Sequence, residues 1–298
     1  MNSFKNIKIL TQEEFPFLLK QLTHKPKSMD LIGHMPPDTY KYLCVVGSRR
    51  CSSYGREVCE KLLRGLAGYP IVIVSGLAVG IDSIAHETAL EIGLKAIAFP
   101  GSGFAEHLLY SSSKFTLMKK IVDSGGALLS AFPRWQHETS WTFPVRNKLM
   151  AGISHITLII EAKEKSGTLL TADDANEIGR TVLAVPGSIF SHLSRGPHIR
   201  IRDGATAVTC SADILEALGL DSRIKKESIK KDGAGNQNLF ETSLTADEKM
   251  IAEKLSVPME RDELIRSLDF PAGYINSLLA ELELKGVIAE RQGLVMIN

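Results

Sequence analysis

Short unbroken runs of apolar residues, many of them β-branched, alternate with longer amphipathic stretches through most of the chain. The runs occupy residues 43–46, 71–74, 96–99, 127–130, 156–160 and 182–185. Such strands are expected where helices cover both faces of a parallel sheet, because neither face then meets water. The stretches between them predict helices. The pattern therefore predicts an α/β fold in which residues 41–220 form a Rossmann-like core with an extended parallel sheet.

The segments that flank this core differ from it in composition. Residues 1–40 contain Pro16, Pro26 and the pair Pro36-Pro37, so we expect a short N-terminal extension with one short helix and little other regular structure. Residues 221–244 are polar and contain glycine, which is the composition of a flexible linker.

Residues 245–298 have the pattern of a small winged-helix domain. Thr245 and Glu248 are spaced as a capping box that opens a first helix, and a second helix follows. A third helix carries apolar residues at helical spacing, and two short apolar segments after it predict a hairpin. The domain has 6 Lys and Arg against 10 Asp and Glu, and its third helix offers only Lys285 as a cation. Because phosphates repel such a face, we expect it to contact protein or to be structural rather than to enter a DNA groove.

Charge and cysteine content limit the classes of function. The chain has 298 residues and a net charge of +1, so any site for a polyanion must be local. The four cysteines lack C-x-x-C spacing, which predicts reduced thiols and no metal site. With no signal-peptide pattern and no apolar stretch of about 18 residues, we expect a cytoplasmic protein without a membrane partner.

Four of the predicted strands run directly into turns of glycine and small hydroxyl residues. Such turns leave backbone N–H groups unpaired, so each is a potential phosphate cradle. Several cradles at one edge of a sheet suggest a polyphosphate ligand, since a nucleotide needs one or two. The candidate residues in these turns are Gly47, Ser48, Arg49, Gly76, Ser166, Gly167, Thr168 and Ser188.

A further segment combines cations with aromatic residues. Arg146, Asn147 and Lys148 stand at the start of a predicted helix, just after Trp141 and Phe143. Single-stranded nucleic acid is bound by this combination, because the charges meet the backbone and the rings stack on bases. The alternative is an exposed basic helix end above a buried aromatic cluster.

Motifs of several enzyme classes are missing. The chain has no G-x-x-x-x-G-K-[ST] loop, no G-x-G-x-x-G after the first strand and no G-x-S-x-G elbow. ATP hydrolysis by a P-loop, dinucleotide binding and serine hydrolase chemistry are therefore not expected. We expect no catalytic residue, cofactor or metal.

Taken in order, the motifs resemble the DNA-processing protein A family (DprA, also called Smf). The matching segments are Val46-Gly-Ser-Arg49, Ser75-Gly-Leu-Ala-Val-Gly-Ile-Asp82, Phe143-Pro-Val-Arg-Asn147, Ser166-Gly-Thr-Leu-Leu-Thr-Ala172 and Val185-Pro-Gly-Ser188. Members of this family bind single-stranded DNA and load the RecA recombinase onto it during natural transformation. The resemblance implies the same function here, a homodimeric core, and a phosphate groove lined by Gly47, Ser48, Arg49, Gly76, Arg146, Asn147, Lys148, Ser166, Gly167 and Thr168.

Two other functions stay open at this point. A related Rossmann family of phosphoribohydrolases processes nucleotides with a Gly-Gly-x-Gly-Thr-x-x-Glu turn, but Thr171 stands here where its catalytic carboxylate is expected. The other possibility is a regulatory scaffold that acts mainly through the acidic winged helix.

Overall fold

The computed structural model describes residues 4, 6–110, 113–220, 245–255, 259–268, 270–284, 287–291 and 294–297. The chain divides into two compact units between residues 232 and 233. The predicted linker, residues 221–244, and Lys285 lie outside the described residues.

The first unit is built on a mixed sheet in which the described residues form nine strands. Their order is β1-β2-β6-β5-β4-β3-β7-β8-β9, and β6 to β9 in this order are parallel. The strands are β1 Lys8–Thr11, β2 Ser28–Gly33, β3 Lys41–Val46, β4 Ile71–Ser75, β5 Lys95–Ala98, β6 Ala127–Ser130, β7 Ile156–Ile159, β8 Thr181–Ala184 and β9 Thr206–Ala207. All six strands expected from the apolar runs are present, and the α/β core is confirmed.

Helices cover both faces of this sheet. They are α1 Phe17–Lys20, α2 Ser53–Arg64, α3 Ile81–Glu91, α4 Glu106–Tyr110, α5 Phe115–Asp123, α6 Thr142–Ile153, α7 Gly167–Glu177, α8 Arg195–Arg202 and α9 Ser211–Ala217. In β3, Cys44 and Val46 belong to one buried cluster, whereas Leu43 and Val45 belong to another. Successive side chains of a strand point to opposite faces, so a strand covered on both sides is apolar at every position.

The expectation of little regular structure in residues 1–40 is wrong. Strands β1 and β2 pair antiparallel, and β2 pairs antiparallel with β6, so this segment extends the sheet. Asp30 interrupts the apolar pattern of β2, so the strand is not recognised in the sequence. In the structure the Asp30 carboxylate accepts a hydrogen bond of 3.0 Å from Arg134 Nε. The expected short helix is present as α1, and its Leu19 is buried.

The order of the strands reverses beside β3. From β3 the sheet continues through β4 and β5 on one side and through β7 and β8 on the other. In open α/β sheets, ligands bind at the carboxyl ends of the strands that flank such a switch point. The residues that follow β3 and β7 therefore lie where a site is expected.

The second unit has the predicted winged-helix fold. Helices α10 Ala246–Lys254, α11 Arg261–Arg266 and α12 Ala272–Leu284 accompany strands β10 Met259–Glu260, β11 Ile288–Arg291 and β12 Leu294–Ile297, paired in the order β10-β12-β11. The capping box is confirmed, because Thr245 N–H donates to Glu248 Oε2 at 2.8 Å and Glu248 N–H donates to Thr245 Oγ1 at 3.3 Å.

Candidate nucleic-acid interface

A pocket of about 510 Å³ opens at the carboxyl ends of β3 and β7. It combines the turn after β3, the first two turns of α6 and the start of α7. The sequence-predicted residues among its lining are Gly47, Ser48, Arg49, Arg146, Asn147, Ser166, Gly167 and Thr168. The structure thus brings eight of the eleven candidate residues to one site.

The start of α7 supplies the backbone N–H groups of this site. Ser166 caps the helix, because its Oγ accepts a hydrogen bond of 3.2 Å from Thr168 N–H. Thr168 Oγ1 donates to Gly47 O at 3.2 Å and so joins the helix to the turn after β3. A Cβ atom added to Gly167 would meet no atom within 4 Å. The positive end of an 11-residue helix is therefore open toward the pocket.

Two glycines let α3 approach the turn after β3. A Cβ atom on Gly47 would lie 2.5 Å from Ile81 Cγ1. Gly80 has a φ of +85°, and its Cβ position lies 2.3 Å from Ser48 O. A larger residue at either position would clash and push α3 away from the turn. At Gly80 the positive φ also favours glycine, because other residues rarely adopt the left-handed region. The Gly-Ser turn is thus held rigidly against α3.

Four exposed cations surround the start of α7. Arg49, Arg50, Lys163 and Lys165 line the pocket, and none of them forms an ion pair with another described residue. The Arg49 guanidinium lies 4.9 Å from the centre of the Phe143 ring, a cation–π contact that orients it. The lining holds five cationic side chains and one carboxylate, so the pocket attracts anions.

Arg146 lines the same pocket, as predicted, but its side chain is almost fully buried. The residue is 6% exposed. Its Nη1 donates to Phe99 O at 2.9 Å and to Gly76 O, and its Nε donates to Asn147 Oδ1 at 3.0 Å. Arg146 is therefore a buried link between α6 and the ends of β4 and β5. A Cβ atom on Gly76 would overlap the guanidinium, so any larger residue at position 76 would displace Arg146.

A buried carboxylate compensates the charge of Arg146. Asp82 is 6% exposed, lines the pocket and accepts a hydrogen bond of 3.3 Å from Ala78 N–H. Burial raises the pKa of Asp82, and the nearby Arg146 opposes this shift. Burial likewise lowers the pKa of Arg146, and Asp82 opposes that shift. Asn147 Nδ2 then donates to Gly167 O at 3.3 Å, so this polar group supports the start of α7.

Comparison with known proteins identifies the family. The family model described as DNA recombination-mediator protein A matches residues 6–219, and the DprA winged helix domain matches residues 240–293. The chain belongs to the DNA recombination-mediator protein A family.

Relatives in this family cover most of the chain. DNA processing protein DprA of Streptococcus pneumoniae is 37% identical over 201 residues, which are 67% of this chain and 70% of that protein. Protein Smf of Escherichia coli is 37% identical over 206 residues, 69% of this chain and 54% of that protein. The solved structure of DNA processing protein A from Helicobacter pylori, which describes a single-stranded DNA binding mode, matches with a TM-score of 0.63 and 25% identity over 73% of this chain and 98% of that one.

Three of the candidate residues do not line the pocket of this family member. Gly76 lies behind Arg146, as described above. Lys148 pairs with Glu177 at 3.6 Å and lines a separate pocket beside Arg180. Ser188 is exposed in the turn after β8, where its Oγ accepts a hydrogen bond of 3.3 Å from Phe190 N–H. The structure therefore does not place all eleven candidate residues in one phosphate groove.

Sequence reasoning missed three of the pocket's cations as site residues, namely Arg50, Lys163 and Lys165. A signal was present for the two lysines, because Lys163 and Lys165 belong to the turn that carries the predicted cradle at Ser166. Among the described residues, no group of three His, Cys, Asp or Glu side chains is placed to hold a metal ion. No helix in the described part of the chain is long and apolar enough to cross a membrane.

Proposed function

We propose that the chain binds single-stranded DNA and that phosphates of the strand occupy the pocket at the carboxyl ends of β3 and β7. The observation that carries this proposal is that four exposed cations, none in an ion pair with another described residue, line the same pocket as the capped start of α7. A helix start and guanidinium groups are strong phosphate ligands when they converge. The H. pylori family member, whose structure describes a single-stranded DNA binding mode, supports the choice of ligand.

A titration of fluorescent oligothymidylates tests this proposal. Affinity should rise with the length of the strand and fall with salt, with a log–log slope of about −0.7 for each phosphate engaged. Double-stranded DNA of equal length should bind more weakly. Arg49→Ala should reduce the magnitude of the slope by about 0.7. Binding that is independent of salt, or a slope that Arg49→Ala leaves unchanged, would contradict the proposal.

The proposal extends to delivery of the strand to a RecA-type recombinase during natural transformation. The recombination-mediator family that the chain belongs to supports this step. The test is the rate of recombinase filament formation on DNA already covered by a single-strand-binding protein. We expect the chain to accelerate the reaction several-fold and Arg49→Ala to remove the acceleration. Normal DNA binding without acceleration would reject delivery and leave the binding site intact.

We further propose that the site works by binding and not by catalysis. Thr171, which is 1% exposed, lines the pocket at the position where a nucleotide-processing relative would need its carboxylate. Nucleoside monophosphates incubated with the protein should release no more free base than those with a heat-killed control. Release well above that control would instead support the phosphoribohydrolase alternative.

We propose that the core forms a homodimer through the exposed segment that follows β8. Ile189 and Phe190 are 79% and 93% exposed, and large exposed apolar residues mark interaction surfaces. A shallow pocket of about 650 Å³, lined partly by Ile199 and Arg202, lies beside Ile189. Sedimentation velocity should show a dimer that Phe190→Asp converts to a monomer. A monomeric wild-type protein at micromolar concentration would contradict this assignment.

The winged helix is proposed to contact a protein or to have a structural role. Its described charges include Asp247, Asp262 and Glu263 in the first turns of α10 and α11. A chain that ends at residue 244 should therefore retain its affinity for oligothymidylate within about twofold. A loss of more than about tenfold in the shortened, folded protein would place DNA contacts in this domain.

A further inference from the structure

Helix α6 has two faces with different environments. At about 100° per residue, Phe143, Arg146, Asn147 and Met150 share one face, and all four line the phosphate pocket. The opposite face carries Trp141, which directly precedes the helix, and Pro144, Val145 and Lys148. None of these four lines that pocket. We call Trp141, Pro144, Val145 and Lys148 the outer face of α6.

The outer face presents a fixed aromatic ring to solvent. Trp141 is 54% exposed and Val145 is 43% exposed. The Trp141 ring meets Phe132 edge to face, with 5.6 Å between centroids and 84° between planes. Such a contact holds the ring in one orientation. A ring that is both fixed and half-exposed can accept a stacked partner with little loss of side-chain entropy.

A cation stands at the other end of the same face. Lys148 lies seven residues after Trp141, which corresponds to a rise of about 10 Å along the helix. Its ammonium group pairs with Glu177 at 3.6 Å, and the Lys148 and Glu177 side chains are 32% and 69% exposed. Lys148 also interacts with Asp174, since burial raises the pKa of that carboxyl and Lys148 opposes the shift. A partly exposed pair contributes little free energy, so a phosphate can compete with these carboxylates for Lys148.

We propose that the outer face of α6 is a second subsite for the DNA strand, in which Trp141 stacks on an unpaired base and Lys148 contacts a phosphate. This inference rests on the proposed function. Its support is proximity, since Trp141 stands two residues before Phe143 of the pocket, and the 510 Å³ pocket holds only a short part of a polymer. Combined rings and cations are the features that single strands use. In duplex DNA the bases are paired and stacked on each other, so the subsite favours single strands.

The two tryptophans of the chain allow a direct test. Trp135 is 68% exposed and provides a matched control. The variant Trp135→Phe leaves Trp141 as the reporter, and Trp141→Phe leaves Trp135. Titration with a twenty-residue oligothymidylate should quench the fluorescence of the first variant and leave that of the second nearly unchanged. Equal quenching of both, or quenching of Trp135 alone, would overturn the proposal.

Affinity measurements separate this subsite from the pocket. Trp141→Ala should weaken binding of the twenty-residue strand about tenfold, which corresponds to about 1.4 kcal/mol for one stacked base. The affinity of this variant for a dinucleotide, which occupies only the pocket, should stay within twofold of the wild-type value. Trp135→Ala should bind both ligands with affinities within twofold of the wild-type values. Circular dichroism of each variant verifies folding, and Trp141→Phe, which keeps a ring against Phe132, should restore most of the affinity.

The possible failures are distinguishable. If Trp141→Ala binds the long strand as wild type does while Arg49→Ala weakens it, the outer subsite is rejected and the pocket stands. If wild-type protein shows no salt-dependent binding of the strand, the proposed function itself fails. If Trp141 fluorescence changes only when a recombinase is added, the outer face contacts protein, and the subsite is again rejected.

Discussion

The turns that follow β7 and β8 look alike in sequence but differ in structure. Each joins a short buried strand to a glycine beside a hydroxyl residue, Gly167 with Thr168 and Gly187 with Ser188. Gly167 opens α7 and has free space around its Cβ position. A Cβ atom on Gly187 would lie 2.3 Å from Ser194 Oγ, and Gly187 N–H lies 3.3 Å from His198 Nε2. The first turn has open space around its glycine, whereas the glycine of the second is packed against Ser194 and His198.

The position of each strand explains this difference. Strand β7 pairs with β3 at the switch point, so its turn faces the turn after β3 and shares a pocket with it. Strand β8 lies one position further out. A glycine-hydroxyl turn is therefore a candidate phosphate site only where the topology leaves a crevice beside it, and the local sequence alone does not decide this.

The largest loss of stability is expected on replacement of Arg146, the buried residue beneath the turn after β7. Arg146→Ala removes a guanidinium that bonds to Phe99 O and leaves Asp82 buried without its compensating charge. Leaving a buried hydrogen-bond partner unsatisfied costs about 1–3 kcal/mol of unfolding free energy, and more when a charged group is involved. Chemical denaturation measures this change. Arg146→Lys should recover only part of it, since one ammonium group cannot replace both Nη1 and Nε; full recovery by Lys would contradict the assigned contacts.

The two glycines should respond in opposite ways. Gly167→Asp places a negative charge at the open start of α7, where the helix dipole stabilises it by about 0.3–1 kcal/mol. Stability should therefore be kept, while affinity for oligothymidylate falls at least about tenfold.

The matched variant is Gly187→Asp, which must displace Ser194 and should cost about 1–3 kcal/mol of stability. Its affinity, measured well below the unfolding temperature, should stay within about twofold of wild type. The same loss of affinity in both variants would show that the two turns do not differ in function.

The cations that accompany the turn after β7 should account for part of the salt dependence. Lys163→Ala combined with Lys165→Ala should reduce the magnitude of the log–log salt slope by about 1.4 if each lysine meets one phosphate. Lys119→Ala combined with Lys120→Ala removes the same charge from exposed positions on α5, outside the pocket, and serves as the control that should leave the slope unchanged. An equal change in both proteins would indicate general electrostatic attraction instead of a defined site.

The smallest effects are expected from the hydroxyl groups themselves. Ser166→Ala removes the cap of α7 and should lower stability by about 1 kcal/mol. Ser188→Ala removes one exposed hydrogen bond to Phe190 N–H and should change stability by less than about 0.5 kcal/mol. Thermal unfolding of the two variants side by side measures the difference, and a larger effect at Ser188 would reverse the comparison.

The sequence was informative wherever one physical signal was strong. Buried parallel strands are apolar at every position, so β3, β4 and β7 could be recognised, and the turn at Ser166 was recognised from its glycine and hydroxyl residues. Strand β2 was missed because Asp30 interrupts its apolar pattern and its pairing with β6 is distant in sequence.

The site was harder to predict because charge alone does not reveal burial. Arg146 and Lys148 are two residues apart and look equivalent in the sequence, yet helix geometry turns Arg146 into the core and Lys148 to the surface. Lys163 and Lys165 stand beside the predicted cradle at Ser166, but only the pairing of β3 with β7 shows that they share a pocket with the turn after β3.

The most direct test of the account follows the backbone amides of both turns during a titration with oligothymidylate. In a ¹⁵N-labelled sample, the N–H signals of Gly167 and Thr168 should shift and saturate at the same strand concentration that saturates binding by fluorescence anisotropy. The signals of Gly187 and Ser188 should stay unchanged. Shifts at Gly187 and Ser188 with none at Gly167 and Thr168 would contradict the central claim that the start of α7 holds the phosphates.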